Sequence, residues 1–433
     1  MTYKRFLGAA SAALMIVIAT LMLTPCAGAA SKYKTLHAFR GRRARGGYPK
    51  AGLVFDSNGN LYGMTSLGGR KDTGVVFKLT PNPDGSWKEK VLYSFCALTN
   101  CSDGASPIFG DLVFDAAGNL YGTTSEGGIV GCGSDNSVGC GVVFQLTPNA
   151  DGSWTESVLH SFCAHCGDGN GPEGGLIFDP AGNLYGTARF GGTSEGCGGS
   201  GCGTVFRLAP NSDGSWTESV LYNFPGFNYS PGPYLIFDQG GNLYGATSAN
   251  GNGGTVFRLT PNADGSWTES ALHHFSGGSD GQNPWAGLIF DPAGNLYGTT
   301  TEGGNLNYCN GGGCGVVFKL THNPDGSWRE KVLYSFTGGR DGSVPVSLIF
   351  DRAGNLYGTT VEGGNLSLCN KFGCGVVFKL TPNSKGGWRE TVLHSFQDQP
   401  GARPYAPLTF DATGNLYGTA DGSFYGSVFE ITP

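Results

Sequence analysis

The sequence predicts an all-β chain, a seven-bladed β-propeller of four-stranded antiparallel blades, on three observations. The string DxxGNLYG occurs seven times, beginning at Asp56, Asp115, Asp179, Asp238, Asp291, Asp351 and Asp411, with 53 to 64 residues between starts. Each copy belongs to a unit with four strand-like segments, and four strands repeated seven times is propeller arithmetic. Glycine supplies 76 of the 433 residues. An interior glycine costs a helix roughly 1 kcal/mol, and no Gly-X-Y period is present, so the glycines are turns between short strands.

Within a unit, the GLIFD-like segment ending in the repeat aspartate is the first strand and NLYGTT is the second. The third is GVVFKL-like, with Phe77, Phe144, Phe206, Phe257, Phe318, Phe378 and Phe429 at its centre. First and third strands carry successive apolar residues (Leu176-Ile177-Phe178, Val142-Val143-Phe144), as expected where both sheet faces are buried between blades. The fourth, WTESVLHSF-like, starts at Trp87, Trp154, Trp216, Trp267, Trp328 and Trp388; it mixes Thr, Glu and Ser with its apolar residues and belongs on the outer rim. The seventh unit stops at Pro433 after its third strand. Residues 33–39 match the LHSF half of the fourth-strand pattern, so the N-terminal strand is expected to complete the last blade and close the ring.

Loop lengths separate the two ends of the disc. Third-strand Phe to Trp is ten residues in all six complete units, and repeat Asp to Asn is four. Second-to-third and fourth-to-first connections vary instead, by 14 to 25 and 14 to 20 residues between landmarks. In an up-down-up-down blade these two connections emerge together, so one face carries every variable loop. Six close cysteine pairs lie in them: Cys96/Cys101, Cys132/Cys140, Cys163/Cys166, Cys197/Cys202, Cys309/Cys314 and Cys369/Cys374. An even count suggests local disulfides in an exported chain. A zinc or redox site at Cys163-Ala164-His165-Cys166 is the sharper alternative, but no second such pair carries histidine to complete four ligands. Stiffened loops suit pre-organised binding, and equally suit resistance to proteolysis.

Residues 1–30 read as an export signal: Lys4 and Arg5, an uncharged run over 6–24, and Ala27-Gly28-Ala29 as the cleavage region. An uncleaved anchor is one alternative. Lipidation at Cys26 is another, although Pro25 departs from the lipoprotein box. Residues 31–433 then form a single propeller domain with no further apolar segment long enough to span a membrane. The formal charge of −6 falls to −8 without Lys4 and Arg5, which speaks against nucleic acid as partner. A secreted or cell-surface monomer is expected.

Residues repeated in every blade are structural; residues that break the repeat on the variable face are candidates for ligand binding. These are Arg189, Tyr229, Tyr234, Trp285, Arg340, Asp341, Lys371, Arg403 and Tyr405. Aromatic rings stack on sugar rings, and arginine clamps carboxylates. Glu126, Glu302 and Glu362 share a TxEGG string and read as turn residues. Asp168, Glu173, Asp280 and Asp341 are the carboxylates from which a glycoside-cleaving pair would come. His37, His160, His273 and His394 share one fourth-strand position with Tyr93, Tyr222 and Tyr334, an interchangeable packing site. No GxSxG, HExxH, P-loop or dinucleotide motif is present, and neither a cofactor nor a metal is expected. The DGSW turns differ from the sialidase Asp-box in having Asp and Gly adjacent, so sialidase activity is not carried over.

DxxGNLYGTTxxGG followed by GVVFKLTP resembles the tandem repeat of exported bacterial proteins called GloVer-repeat, or choice-of-anchor tandem repeat, proteins, over essentially the whole mature chain. The resemblance implies a secreted or surface repeat protein and transfers no catalytic residue. The expected function is a non-catalytic module that binds extracellular carbohydrate or protein through the variable face. A propeller hydrolase or lyase acting on polysaccharide, and a structural envelope protein, are the alternatives.

Overall fold

The computed structural model describes residues 31–41, 45–129, 139–163, 167–194, 201–226, 230–248, 253–422 and 425–433. The export signal, Tyr229, Cys132, Cys166 and Cys197 lie outside these residues. Seven antiparallel sheets follow one another around a ring, each ordered first to fourth strand. Blade 1 comprises Val54–Phe55, Leu61–Thr65, Val75–Pro81 and Trp87–Ser94. Blades 2 to 6 repeat it across 113–161, 177–223, 236–274, 289–335 and 343–395. Blade 7 comprises Thr409–Phe410, Leu416–Ala420 and Ser427–Thr432, and its fourth strand is Lys32–Ala38. That strand runs antiparallel to Ser427–Thr432, with Lys32 opposite Thr432 and His37 opposite Val428.

The repeat motif is a hydrogen-bond recipe for the first turn. Asp56 Oδ1 accepts from the Asn58 and Asn60 backbone N–H groups, both at 2.9 Å. Its Oδ2 accepts from the Asn60 side chain at 2.6 Å and from the Tyr62 hydroxyl at 3.0 Å, while Gly59 takes a φ of +78°. Burial opposes charge on Asp56, but bonds from Asn60, Tyr62 and Asn58 outweigh it and hold the carboxyl below its ordinary value. The same Tyr-to-Asp bond recurs in all seven blades at 3.0 to 3.2 Å. Glycine follows the tyrosine for a packing reason: a Cβ on Gly63 would stand 2.7 Å from Phe77 Cζ.

The core lies at the seams. Phe95 of blade 1 meets Phe144 of blade 2 edge to face, 5.1 Å between centroids. Equivalent pairs at 5.0 to 5.3 Å recur at every seam, ending with Phe396 on Phe429 and Phe39 on Phe77. Such edge-to-face pairs add about 1 kcal/mol beyond area burial. A β-bulge in the pairing of third and fourth strands recurs in blades 1 to 6 and sharpens their twist. Cys96–Cys101, Cys309–Cys314 and Cys369–Cys374 are disulfides, and Cys140, Cys163 and Cys202 are disulfide-bonded as well. Cys163 is therefore no zinc thiolate. Among the described residues, no helix is long and apolar enough to cross a membrane.

Candidate functional site

The segments that enter the first strands come from the variable face and converge on the ring axis. They deliver Lys50, Phe109, Glu173, Trp285 and Tyr405 from blades 1, 2, 3, 5 and 7. Phe109 lies 6.1 Å from Trp285 and 6.4 Å from Tyr405, ring centre to ring centre. Blades 2, 5 and 7 are not mutual neighbours, so these contacts span the axis. Lys50 Nζ stands 5.6 Å from the Tyr405 ring and 3.8 Å from Asp421 Oδ2. Arg189 leaves the second strand of blade 3, places its guanidinium 5.1 Å from the Trp285 centroid, and donates through Nη1 to Glu173 Oε2 at 3.1 Å. Its Nε is buried with no hydrogen-bond partner.

Deeper along the axis, Tyr234 of blade 4 donates its hydroxyl to the Phe109 carbonyl at 3.1 Å and lies 3.4 Å from Asp111 Oδ1. Asp111 also accepts the Gly52 N–H. Together these groups join blades 1, 2 and 4. Burial pushes the Asp111 carboxyl up to about 6 against the opposing bonds from Gly52 and Tyr234. Glu173 and Asp421 are raised for the same reason, opposed chiefly by Arg189 and by Lys50. The mouth therefore offers three aromatic rings interleaved with the cations of Lys50 and Arg189. Arg403 extends it sideways, lining with Tyr48, Asn370, Asp398 and Asp421 a cavity of about 400 Å³.

Of the candidates named from sequence, Arg189, Trp285 and Tyr405 meet at the mouth, Tyr234 fills the channel below, and Arg403 borders it. Arg340 and Lys371 are exposed elsewhere: Arg340 lines a separate cavity with Leu366 and Ser367, and Lys371 sits in the turn of a disulfide loop. Asp341 accepts from the Tyr334 hydroxyl at 3.1 Å and from Thr337 N and Oγ1 at 2.9 and 2.6 Å. Tyr93 with Asp103 (2.7 Å) and His160 with Asp168 (2.9 Å) repeat that link, and His273 faces Asp280 at 3.6 Å, so Asp341 is part of the repeat. The histidine/tyrosine position thus ties the fourth strand to the following loop, beyond mere packing. Of the four carboxylates singled out, only Glu173 reaches the axis. Cys369, Cys374 and Asp398 cluster closely enough for a metal, but both sulfurs are in a disulfide.

Lys50, Phe109, Asp111 and Asp421 were not signalled by composition, yet repeat alignment marks two of them. The residue before the first-strand leucine is Gly52, Gly175 or Gly287 in three blades and Asp111 in blade 2. Five residues after the second-strand leucine stand Ser66, Ser125, Ser248 and Thr301, hydroxyls that bond neighbouring carbonyls, where blade 3 has Arg189 and blade 7 has Asp421.

Among solved structures, a polysaccharide lyase described as an ulvan lyase aligns with TM-score 0.54 at 12% identity, over 92% of this chain and 95% of that one. At that identity the likeness is one of fold. A Trichoderma reesei protein of carbohydrate-active enzyme family AA12 gives 0.42 at 13% identity over 94% and 96%. A luciferin-regenerating enzyme gives 0.43 at 15% over 74% and 90%. No curated protein sequence matches the chain. The Gloeobacter/Verrucomicrobia repeat matches three times, over residues 21–251, 191–368 and 234–433. With the repeats covered from end to end, the chain belongs to the Gloeobacter/Verrucomicrobia repeat family.

Proposed function

We propose that the protein is an exported, non-catalytic module that binds acidic carbohydrate at its axial mouth. The observation that carries this reading is the stack of Arg189 on Trp285 beside Glu173, at the place where the sevenfold repeat fails. Indole and phenol rings present flat apolar faces to a pyranose, and a guanidinium fork matches a carboxylate or sulfate. Loops closed by disulfides lose less entropy on binding, and disulfides fit an oxidising compartment outside the cytosol. The test is retention on immobilised acidic and neutral polysaccharides. Retention on acidic matrices, abolished by Trp285→Ala and Arg189→Ala with the circular dichroism unchanged, is expected. Unchanged retention in both variants, or none on any polysaccharide, rejects the reading.

Cleavage of the bound polysaccharide is the second reading, favoured by Asp111, a carboxyl with a raised pKa hydrogen-bonded with Tyr234 on the axis under the mouth. Product formation that Asp111→Asn abolishes would support cleavage. No product leaves binding alone.

A further inference from the structure

Charge is divided unevenly around the ring. Blades 2 to 4 with their connections, residues 97–275, hold sixteen Asp and Glu residues against three cations, Arg189, Arg207 and Arg258. The rest of the chain from residue 31 holds 22 Lys and Arg against 17 Asp and Glu. An acidic protein thus carries a basic half, and a ring so polarised turns that half toward an extended anionic surface while the other half is repelled. We propose that the outer wall of blades 5 to 7 docks on an anionic lipid bilayer.

The basic half centres on the fourth strands, the last of each sheet. One and three residues after the strand's tryptophan, blades 2 to 4 carry only Thr and Ser, as in Thr155 and Ser157. At these positions blade 5 has Arg329 and Lys331, blade 6 has Arg389 at the first, and the N-terminal strand of blade 7 has Lys32 there, all exposed. Lysine on an edge strand also deters strand pairing, but the edges of blades 2 to 4 meet the same hazard without it.

The turns between third and fourth strands sharpen the contrast. Lys34, Lys90 and Lys331 each donate across a seam to a turn carbonyl, of Gly85, Gly152 and Gly386, at 2.7, 2.6 and 3.0 Å. Asp84 stands near Lys34 and Asp151 near Lys90. The turn that Lys331 reaches has no acid: Lys385 replaces the aspartate of the other five complete blades. Asn383 there accepts the Gly387 N–H at 3.0 Å, as Asp84 accepts that of Ser86, so the turn closes without a carboxylate. Acids of the same segments are engaged elsewhere. Glu330 and Glu390 alternate with the cations onto the half-buried side, and Asp325 accepts from the Ser327 hydroxyl at 2.6 Å. Among the described residues, none of Lys32, Arg329, Lys331, Lys385 and Arg389 forms an ion pair. Cations spread over three blades of a convex wall suit a plane of mobile headgroups, whereas one rigid anion reaches few of them.

The experiment is flotation of the exported protein with vesicles of phosphatidylcholine alone or mixed with phosphatidylglycerol. Binding to the mixed vesicles only is expected. Raising salt from about 0.1 to about 1 M shortens the screening length from about 10 to about 3 Å and should release the protein. A quadruple variant, Arg329→Thr, Lys331→Ser, Lys385→Asp and Arg389→Thr, installs residues that blades 2 to 4 carry, so the fold is kept, as circular dichroism checks. At roughly fivefold per cation, it should weaken vesicle binding on the order of several hundredfold. Arg70→Gln with Lys71→Gln, in a variable loop of blade 1, and Trp285→Ala at the axial mouth should bind vesicles as wild type, so failure of this wall and failure of the mouth are distinguishable. Equal binding to both kinds of vesicle, binding indifferent to salt, or unchanged affinity in the quadruple variant overturns the proposal. So does an absence of vesicle binding while the quadruple variant loses retention on acidic polysaccharide, which would make the polymer the occupant.

Discussion

Arg189 lies 5.1 Å from the ring centre of Trp285, although one belongs to blade 3 and the other to blade 5. A contact between non-adjacent blades exists only at the axis, and this one is held from the other side by Glu173. The seven sequence repeats build a symmetric ring. The loops then spend that symmetry on one asymmetric cluster where all blades converge.

The N-terminal strand should be as important as any internal one. Phe39 packs on Phe77 as Phe95 packs on Phe144, both pairs at 5.1 Å. Phe39→Ala and Phe95→Ala should therefore cost similar stability, about 3 to 5 kcal/mol each by urea unfolding. A near-neutral Phe39→Ala alongside a costly Phe95→Ala would contradict the seventh seam.

Stability should peak in mild acid. Burial, reinforced by nearby aspartates, lifts Glu156, Glu330 and Glu390 to about 7; burial lifts Glu218 to about 7 as well, with His160 opposing. These carboxyls hold protons in the folded state that the unfolded chain releases near its ordinary glutamate value. Stability therefore falls as pH rises from about 4.5 to about 7 and then levels. The repeat aspartates, held below their ordinary value, act in the opposite sense and lose their contribution on acidification below about 4. Melting temperature measured from pH 3 to 8, on the scale of these pKa values, should show that maximum, and Glu156→Gln should flatten its alkaline side.

Overpacking at the seam should be as damaging as truncation. In blade 5, a Cβ on Gly298 would stand 2.6 Å from Phe318 Cζ. Gly298→Ala should cost about 1 to 3 kcal/mol, and pairing it with Phe318→Leu should recover part of that loss. Additive losses in the double variant would argue against the packing account.

Strand order, turn chemistry and the grouping of variable loops were legible because each is written seven times. Asn60, Gly59 and Tyr62 explain themselves once Asp56 is seen as their shared acceptor. The site was half legible. Arg189, Trp285 and Tyr405 break a visible pattern, and Asp111 does so once the repeats are aligned on the first-strand leucine, whereas Phe109 is hidden by an extra residue between Pro107 and Leu112 that shifts blade 2 against the others. Lys50 and Phe109 gain meaning only from contacts across the axis, which no local spacing encodes. Asp341 misled for the converse reason. Tyr93 to Asp103 is ten residues and Tyr334 to Asp341 seven, so loop length disguised a repeated link as a unique residue.

The most direct test of the axial site is the affinity of wild-type protein, Arg189→Ala, Trp285→Ala and Arg340→Ala for one acidic oligosaccharide, measured by calorimetry. Loss of the stacked pair should weaken binding about tenfold or more in the first two variants, while Arg340→Ala, outside the axial cluster, binds as wild type. Equal affinity across all four proteins, or a loss confined to Arg340→Ala, would contradict the account.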